Sequence, residues 1–181
     1  MKRLASLLAA GKSAAEVRGL VSQDNLLERK STKRSLNVTS YLLQRLSLAP
    51  QLLLEIIANA DSISSRQAAL LVSLQNSRFL REFLTTVICD RLESFNTNLP
   101  PLYWEDFWAS CLSKDHCLQS LRPKAVTELR SVLIKFLVDV GILDSSRSRA
   151  LVQIRLTPQV TQVLRTSELS WLLPCIKSFV R

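Results

Sequence analysis

The chain has 181 residues, a net charge of +9, 47% hydrophobic residues, three glycines and six prolines. That hydrophobic content supplies a core for one domain or two small ones, and the scarcity of Gly and Pro favours long helices over a many-turned β fold. The charge is uneven: residues 1–60 carry nine basic and four acidic residues (+5), residues 61–115 five and seven (−2), and residues 116–181 ten and four (+6). Two basic ends around a mildly acidic middle attract polyanions.

Residues 2–10 are expected to be helical and to stop near Gly11. Ser13-Ala-Ala-Glu16 is a capping box, with Glu16 reaching back to the Ser13 amide, and it opens a helix that turns Val17, Leu20 and Val21 inward. That helix stops near Gln23-Asp24-Asn25. The next run, Asn25-Leu-Leu-Glu-Arg-Lys-Ser-Thr-Lys-Arg-Ser35, places Arg29, Lys30, Lys33 and Arg34 at the entrance of a helix over about 32–48, capped by Ser31 or Thr32. Along it Lys33, Asn37, Ser40 and Gln44 recur at spacings of four, three and four, forming one polar stripe. Leu36, Leu43 and Leu46, with Val38 and Leu42 beside them, form its apolar face. Backbone amides and cations at such a helix start hold phosphates, while Asn and Gln amides read base edges. Helix, polar turn and cationic second helix together give a helix-turn-helix pattern; the plain alternative is a helical hairpin with a solvated basic corner.

Pro50 starts another helix with Leu52, Leu53, Ile56 and Ile57 apolar, and Ser62 to Ser65 start the next, with Ala68, Leu71, Val72 and Leu74. Residues 77–93 carry Phe79, Leu80, Phe83, Leu84, Val87, Ile88 and Leu92 at helical period, a wide apolar face that marks a central buried helix. Arg78 and Glu82 are placed to pair on its surface. Asn96 to Pro101 is a loop. The aromatic group Tyr103, Trp104, Phe107 and Trp108 that follows has the spacing of a core face; stacking on bases is disfavoured by Glu105 and Asp106 between them.

Pro123 suits a helix start, and the helix runs to about Val140, with Val126, Leu129, Leu133, Phe136 and Val140 inward and Lys124, Glu128, Ser131, Lys135 and Asp139 as its polar stripe. Gly141 stops it. Ile142-Leu143, the polar tip Asp144-Ser-Ser-Arg-Ser-Arg149 and the β-rich Leu151-Val-Gln-Ile-Arg-Leu156 predict a small β-hairpin, the wing of a winged helix with Arg147 and Arg149 at its tip. Thr157-Pro158 start a further helix, and residues 167–178 form the last. The expected fold is an all-α compact helical domain with this one β wing. Residues 1–60 form its helix-turn-helix-like part and residues 61–181 its helical core with the winged-helix-like end.

Little in the chain points to catalysis. Three glycines leave no phosphate loop, and His116 has no recognisable nucleophile or acid partner. The four cysteines, Cys89, Cys111, Cys117 and Cys175, contain no C-x-x-C pair and read as reduced, apolar packing residues rather than a zinc set. No signal peptide or membrane span is evident, so the expectation is a cytoplasmic, non-enzymatic protein with no cofactor, no metal and no small-molecule substrate.

The order of motifs resembles the BrxA family of BREX phage-defence systems. The resemblance rests on Asn25-Leu-Leu-Glu-Arg-Lys-Ser-Thr-Lys-Arg34 with the Leu-rich helix ending Gln-Arg-Leu46, then Arg78-Phe-Leu-Arg-Glu-Phe83. Tyr103-Trp-Glu-Asp-Phe107, Leu129-Arg and Gly141-Ile-Leu with Leu156-Thr-Pro158 complete it. It spans roughly residues 13–165, and order and spacing carry it. The chain departs from the family at its start, where members have more residues before the first helix-turn-helix. The resemblance implies a small, mainly helical, NusB-like DNA-binding protein that serves alongside a methyltransferase, an ATPase and other BREX defence proteins. The expected partner is therefore double-stranded DNA, with Arg29, Lys30, Lys33, Arg34, Asn37, Ser40, Gln44, Arg147 and Arg149 as the binding residues. An RNA-binding, antitermination-like module and a scaffold for other defence proteins are the alternatives.

Overall fold

A computed structural model describes the backbone of residues 1–24, 32–100, 102–166 and 168–180, and among these the side chains of all but residues 23, 24 and 32–35. The chain divides into two compact units. Unit 1 comprises Met1–Ser77 and Leu156–Leu172, and unit 2 comprises Arg78–Arg155 and Leu173–Arg181.

Unit 1 is built from α1 (Lys2–Ala9), α2 (Ala14–Asp24), α3 (Thr32–Leu46), α4 (Gln51–Asn59), α5 (Ser62–Asn76) and the returning α10 (Pro158–Leu164) with a 3₁₀ turn at Ser170–Leu172. α1 packs on α4, α4 on α5, and α3 on α1, α2 and α5, while α10 lies against α4 and α5. α1 ends in a Schellman turn at Gly11 (φ 83°): Gly11 N donates to Leu8 O and Lys12 N to Leu7 O. The capping box forms as the sequence predicts, with Ser13 N donating to Glu16 Oε2 at 2.7 Å and Glu16 N to Ser13 Oγ at 3.3 Å. These two bonds also draw the exposed Glu16 carboxyl below its ordinary range, the Ser13 contacts being the main cause. Asp61 caps α5 by accepting from Ile63 N (2.8 Å) and Ser64 N (3.0 Å). The core is aliphatic, with Leu4, Val17, Leu43, Leu46, Leu53, Ile57, Leu70, Leu71, Leu74 and Val160 each at most 1–2% exposed.

Unit 2 centres on α6 (Arg78–Phe83), which runs through a π-helical stretch (Leu84–Cys89) into α7 (Asp90–Glu93). α8 (Tyr103–Lys114) follows, then a 3₁₀ turn (His116–Ser120), α9 (Pro123–Asp139) and the short α11 (Leu173–Ile176). The aromatic group is core: Phe107 lies edge-on to Phe79 and Phe83 (centroids 5.1 and 5.0 Å), and Phe83 meets Tyr103 at 6.0 Å. Trp104 is buried as well and stacks on the half-buried Trp108 at 5.7 Å. Glu82 pairs with Lys114 rather than with Arg78, so the expected i,i+4 pair on this helix does not form. The final helix is also shorter than the expected 167–178.

The expected β-hairpin wing is overturned. Among the described residues there is no strand, only isolated bridges: Ala150 pairs with Asn98, Leu151 with Leu143, and Ile154 with Val180. Three successive partners leave no ladder longer than one rung. The burial pattern explains why. Leu151 and Ile154 are buried at a spacing of three, and Val152 is 40% exposed, so the Val152/Ile154 alternation that suggested a strand does not lie on one face. In addition Asp144 folds the tip onto itself, accepting from Ser145 N, Ser148 Oγ and, at 3.0 Å, Ala150 N, which satisfies amides that a ladder would need.

Two residues test the backbone argument. Gly141 (φ 84°) closes α9 in a Schellman turn, its N donating to Val138 O and Ile142 N to Leu137 O. Phe95 holds the matching place after α7 at φ 56°, although it is 93% exposed. The left-handed region costs a side chain about 1–2 kcal/mol, of which a glycine's chain entropy returns a part. Phe95→Gly should therefore raise stability by about 0.5–1 kcal/mol and Gly141→Ala lower it by about 1 kcal/mol or more. Paired urea melts check both signs.

Candidate nucleic-acid interface

α3 presents the polar stripe to solvent. Asn37 and Gln44 are exposed and Ser40 is half-buried, while Leu43, Leu46 and the fully buried Thr39 turn inward. Leu36, Val38 and Leu42 are only partly covered, so the inward face runs through 39, 43 and 46. Because α1, α2 and α5 grip the buried side, the stripe sits on a rigid support. Lys33 and Arg34 belong to the first turn of α3, where their side chains are not described, and Arg29, Lys30 and the Ser31 cap lie outside the described residues.

Two further residues join this face. Tyr41 is 55% exposed, and the Arg45 guanidinium lies 4.2 Å from its ring centroid while also donating to the Tyr41 hydroxyl. The i,i+4 spacing of an aromatic and an arginine was the signal for this pair. The arrangement fixes an aromatic and a cation beside Gln44, both suited to phosphate and sugar contact.

The tip residues belong to unit 2. Arg147 is exposed, but Arg149 is half-buried: its guanidinium carbon lies 5.7 Å from the Tyr103 ring, and Arg130 approaches the same ring at 5.4 Å. Arg149 adopts φ 54°. Arg130 also donates to Glu105 at 3.2 Å. Arg130 belongs to the Leu129-Arg pair of the family resemblance but carried no binding signal of its own, and for Lys135 only its position on the exposed stripe of α9 was legible.

Among the described residues no three His, Cys, Asp or Glu side chains gather as a metal set, and no helix is long and apolar enough to cross a membrane. All four cysteines are free, and burial pushes the Cys89 and Cys111 thiols above their ordinary range. His116 is exposed, with Nδ1 3.2 Å from Gln119 Nε2.

The Asp144 carboxyl, in contrast, is held below its ordinary value of 3.8, first by the Ser148 hydroxyl and then by the Ser145 and Ala150 amides. Its folded value lies under its unfolded one. The tip's bonds therefore contribute fully above about pH 3.8 and are lost as the pH falls through the lower, folded value. Carboxyl-resolved NMR titration should show Asp144 ionising below a tip peptide's aspartate, with the Ser148 amide shift moving in step; coincident midpoints would overturn a stabilising role for the Asp144 bonds.

The BrxA family model matches residues 1–168 of the chain. The BREX protein BrxA of Paramagnetospirillum magneticum is 23% identical over 174 residues, spanning 96% of this chain and 87% of that protein. The BREX protein BrxA of Escherichia coli strain HS is 23% identical over 141 residues, spanning 78% of this chain and 66% of that one. A crystal structure of an uncharacterized protein from Magnetospirillum magneticum superposes with a TM-score of 0.84 at 23% identity, covering 97% of this chain and 90% of that chain.

Proposed function

The chain belongs to the BrxA family, and from that premise we propose that it is a non-enzymatic, duplex-DNA-binding component of a BREX-type phage-defence system. It works beside other BREX proteins. The observation that carries the reading is the exposed Asn37–Ser40–Gln44 stripe on a helix held by three others, with Lys33 and Arg34 in its first turn. Such a helix seats its N-terminal end against phosphates and its amides against base edges in a major groove. The +9 charge supports the same ligand class, and Arg29 and Lys30, next to this helix in the chain, add to it. Arg147 serves as a further phosphate contact from the exposed tip of unit 2. In this reading one helix, α3, offers its amides to the bases, so sequence preference is weak without a second half-site.

Gel shifts across a salt series test the ligand. The log–log plot of affinity against salt should be linear and steep, at about −0.9 per phosphate neutralised. Salt-independent binding, or a preference for single-stranded RNA over duplex DNA of equal length, would overturn the reading. Lys33→Glu combined with Arg34→Glu should weaken binding at least about tenfold for unrelated duplexes, with helical circular dichroism and melting temperature nearly unchanged. Arg147→Ala should make the salt slope shallower by about 0.9, one phosphate's worth. Asn37→Ala and Gln44→Ala should affect preferred duplexes more than random ones.

A further inference from the structure

Unit 2 contains a cavity of about 570 Å³ between α9 and the tip, in the range that holds a nucleotide-sized group. Arg130 and Lys135 of α9 and Arg149 of the tip line it, and Asp139 is the one carboxylate among its lining residues. Three cations against one acid leave this concave surface at +2. Concave cationic surfaces focus anions more strongly than the same charges spread on a convex face.

The state of Arg149 adds a second, independent observation. Its Nε is buried with no hydrogen-bond partner, and among the described residues it has no ion-pair partner. Its left-handed backbone is imposed by bonds on both sides: Arg149 N donates to Ser145 O at 3.1 Å, and Leu99 N to Arg149 O at 3.2 Å. A residue kept in a costly conformation with an unsatisfied donor is held there by its surroundings. Arg130 lies 5.4 Å from the same Tyr103 ring and has a carboxylate partner, Glu105, whereas Arg149 has none among the described residues. An anion in the cavity offsets the positive charge that Asp139 and Glu105 leave uncompensated. Lys135, exposed on the rim, supplies a third charge.

We infer that this cavity binds a phosphate group and, resting on the duplex-binding reading above, that the group is a backbone phosphodiester of the bound DNA. The site has no base-reading amide, so it adds affinity and position rather than sequence preference.

The test uses the full chain with Lys135→Glu, Lys135→Ala, Asp139→Asn and, as an equal-charge control on the same helix, the exposed Lys124→Glu. Lys135 and Asp139 are both exposed, so folding should survive, with circular dichroism as the check. Duplex Kd should rise about tenfold for Lys135→Glu, fall severalfold for Asp139→Asn, and rise by no more than about threefold for Lys124→Glu. In a second arm, inorganic phosphate should raise the melting temperature above a chloride control of equal ionic strength, and Lys135→Ala should remove that increment. Equal losses at Lys135 and Lys124 with no phosphate increment would overturn the cavity site while leaving the duplex reading intact. A Lys135-dependent phosphate increment in a protein that binds no duplex would keep the site, assign it to free phosphate and overturn the DNA source.

Discussion

The side-chain oxygen of Gln67, 4% exposed within α5, accepts the backbone N–H of Thr157 at 2.9 Å, and the Ser64 hydroxyl donates to Thr157 Oγ1 at 3.1 Å. These bonds fasten the point where the chain, after leaving unit 1 at Ser77, comes back to it. Pro158, at the start of α10, has no N–H to give, so the Thr157 amide is the donor available at this junction. Leaving that amide buried and unmet would cost about 1–3 kcal/mol. The returning segment then inserts Val160, Val163, Leu164, Leu169 and Leu172, all at most 2% exposed. α4 and α5, against which α10 packs, are also the helices that hold α1 and α3. The orientation of the polar stripe on α3 thus depends, through α5, on a pair of residues 90 apart in the chain.

Most of the helical framework was legible because its signals are local. Ser13 and Glu16 are three residues apart, Gly11 and Gly141 follow their helices directly, and Pro123 and Pro158 open theirs. Each acts through the backbone of one turn, so neighbouring residues suffice to reveal it. Ser64, Gln67 and Thr39 were not legible as inward residues, since a polar residue in an apolar stripe looks like an outward one until its partner is known. A unit made of two separated stretches gives no local sign either. Glu82 followed the same rule, because Lys114 reaches it from another helix and nothing in the 78–82 spacing reveals that competitor.

The C-terminal tip failed for a different reason. Branched and apolar residues between polar turns have strand propensity, yet propensity acts only when a partner strand offers a continuous row of amides. Here Asp144 captures tip amides and each following residue finds a different partner. The same competition bent Arg149 inward onto Tyr103, converting an expected solvent-facing arginine into a cavity wall. Of the candidate site, the stripe at Asn37, Ser40 and Gln44 was visible from period alone and Tyr41 with Arg45 had a readable i,i+4 spacing, whereas Arg130 with Lys135 became functional candidates only through what they lie against.

The division between amides and cations sets what such a protein can discriminate. Asn37 and Gln44 are seven residues apart, about 10.5 Å along the helix at 1.5 Å per residue. That matches about three base-pair steps of 3.4 Å. Two bidentate amide–adenine contacts would give about 2–6 kcal/mol of discrimination at about 1–3 kcal/mol each. Specific recognition against a genome of competing sites takes about 4–10 kcal/mol. On the proposed reading one α3 would therefore reach at most the lower half of that range, while phosphate contacts from Lys33, Arg34, Arg147 and the cavity would strengthen binding to every duplex alike. Raising total affinity with more arginines leaves the ratio between right and wrong sites unchanged. A second base-reading surface, from another copy or from a partner protein of the defence system, is the route by which binding of this kind becomes selective.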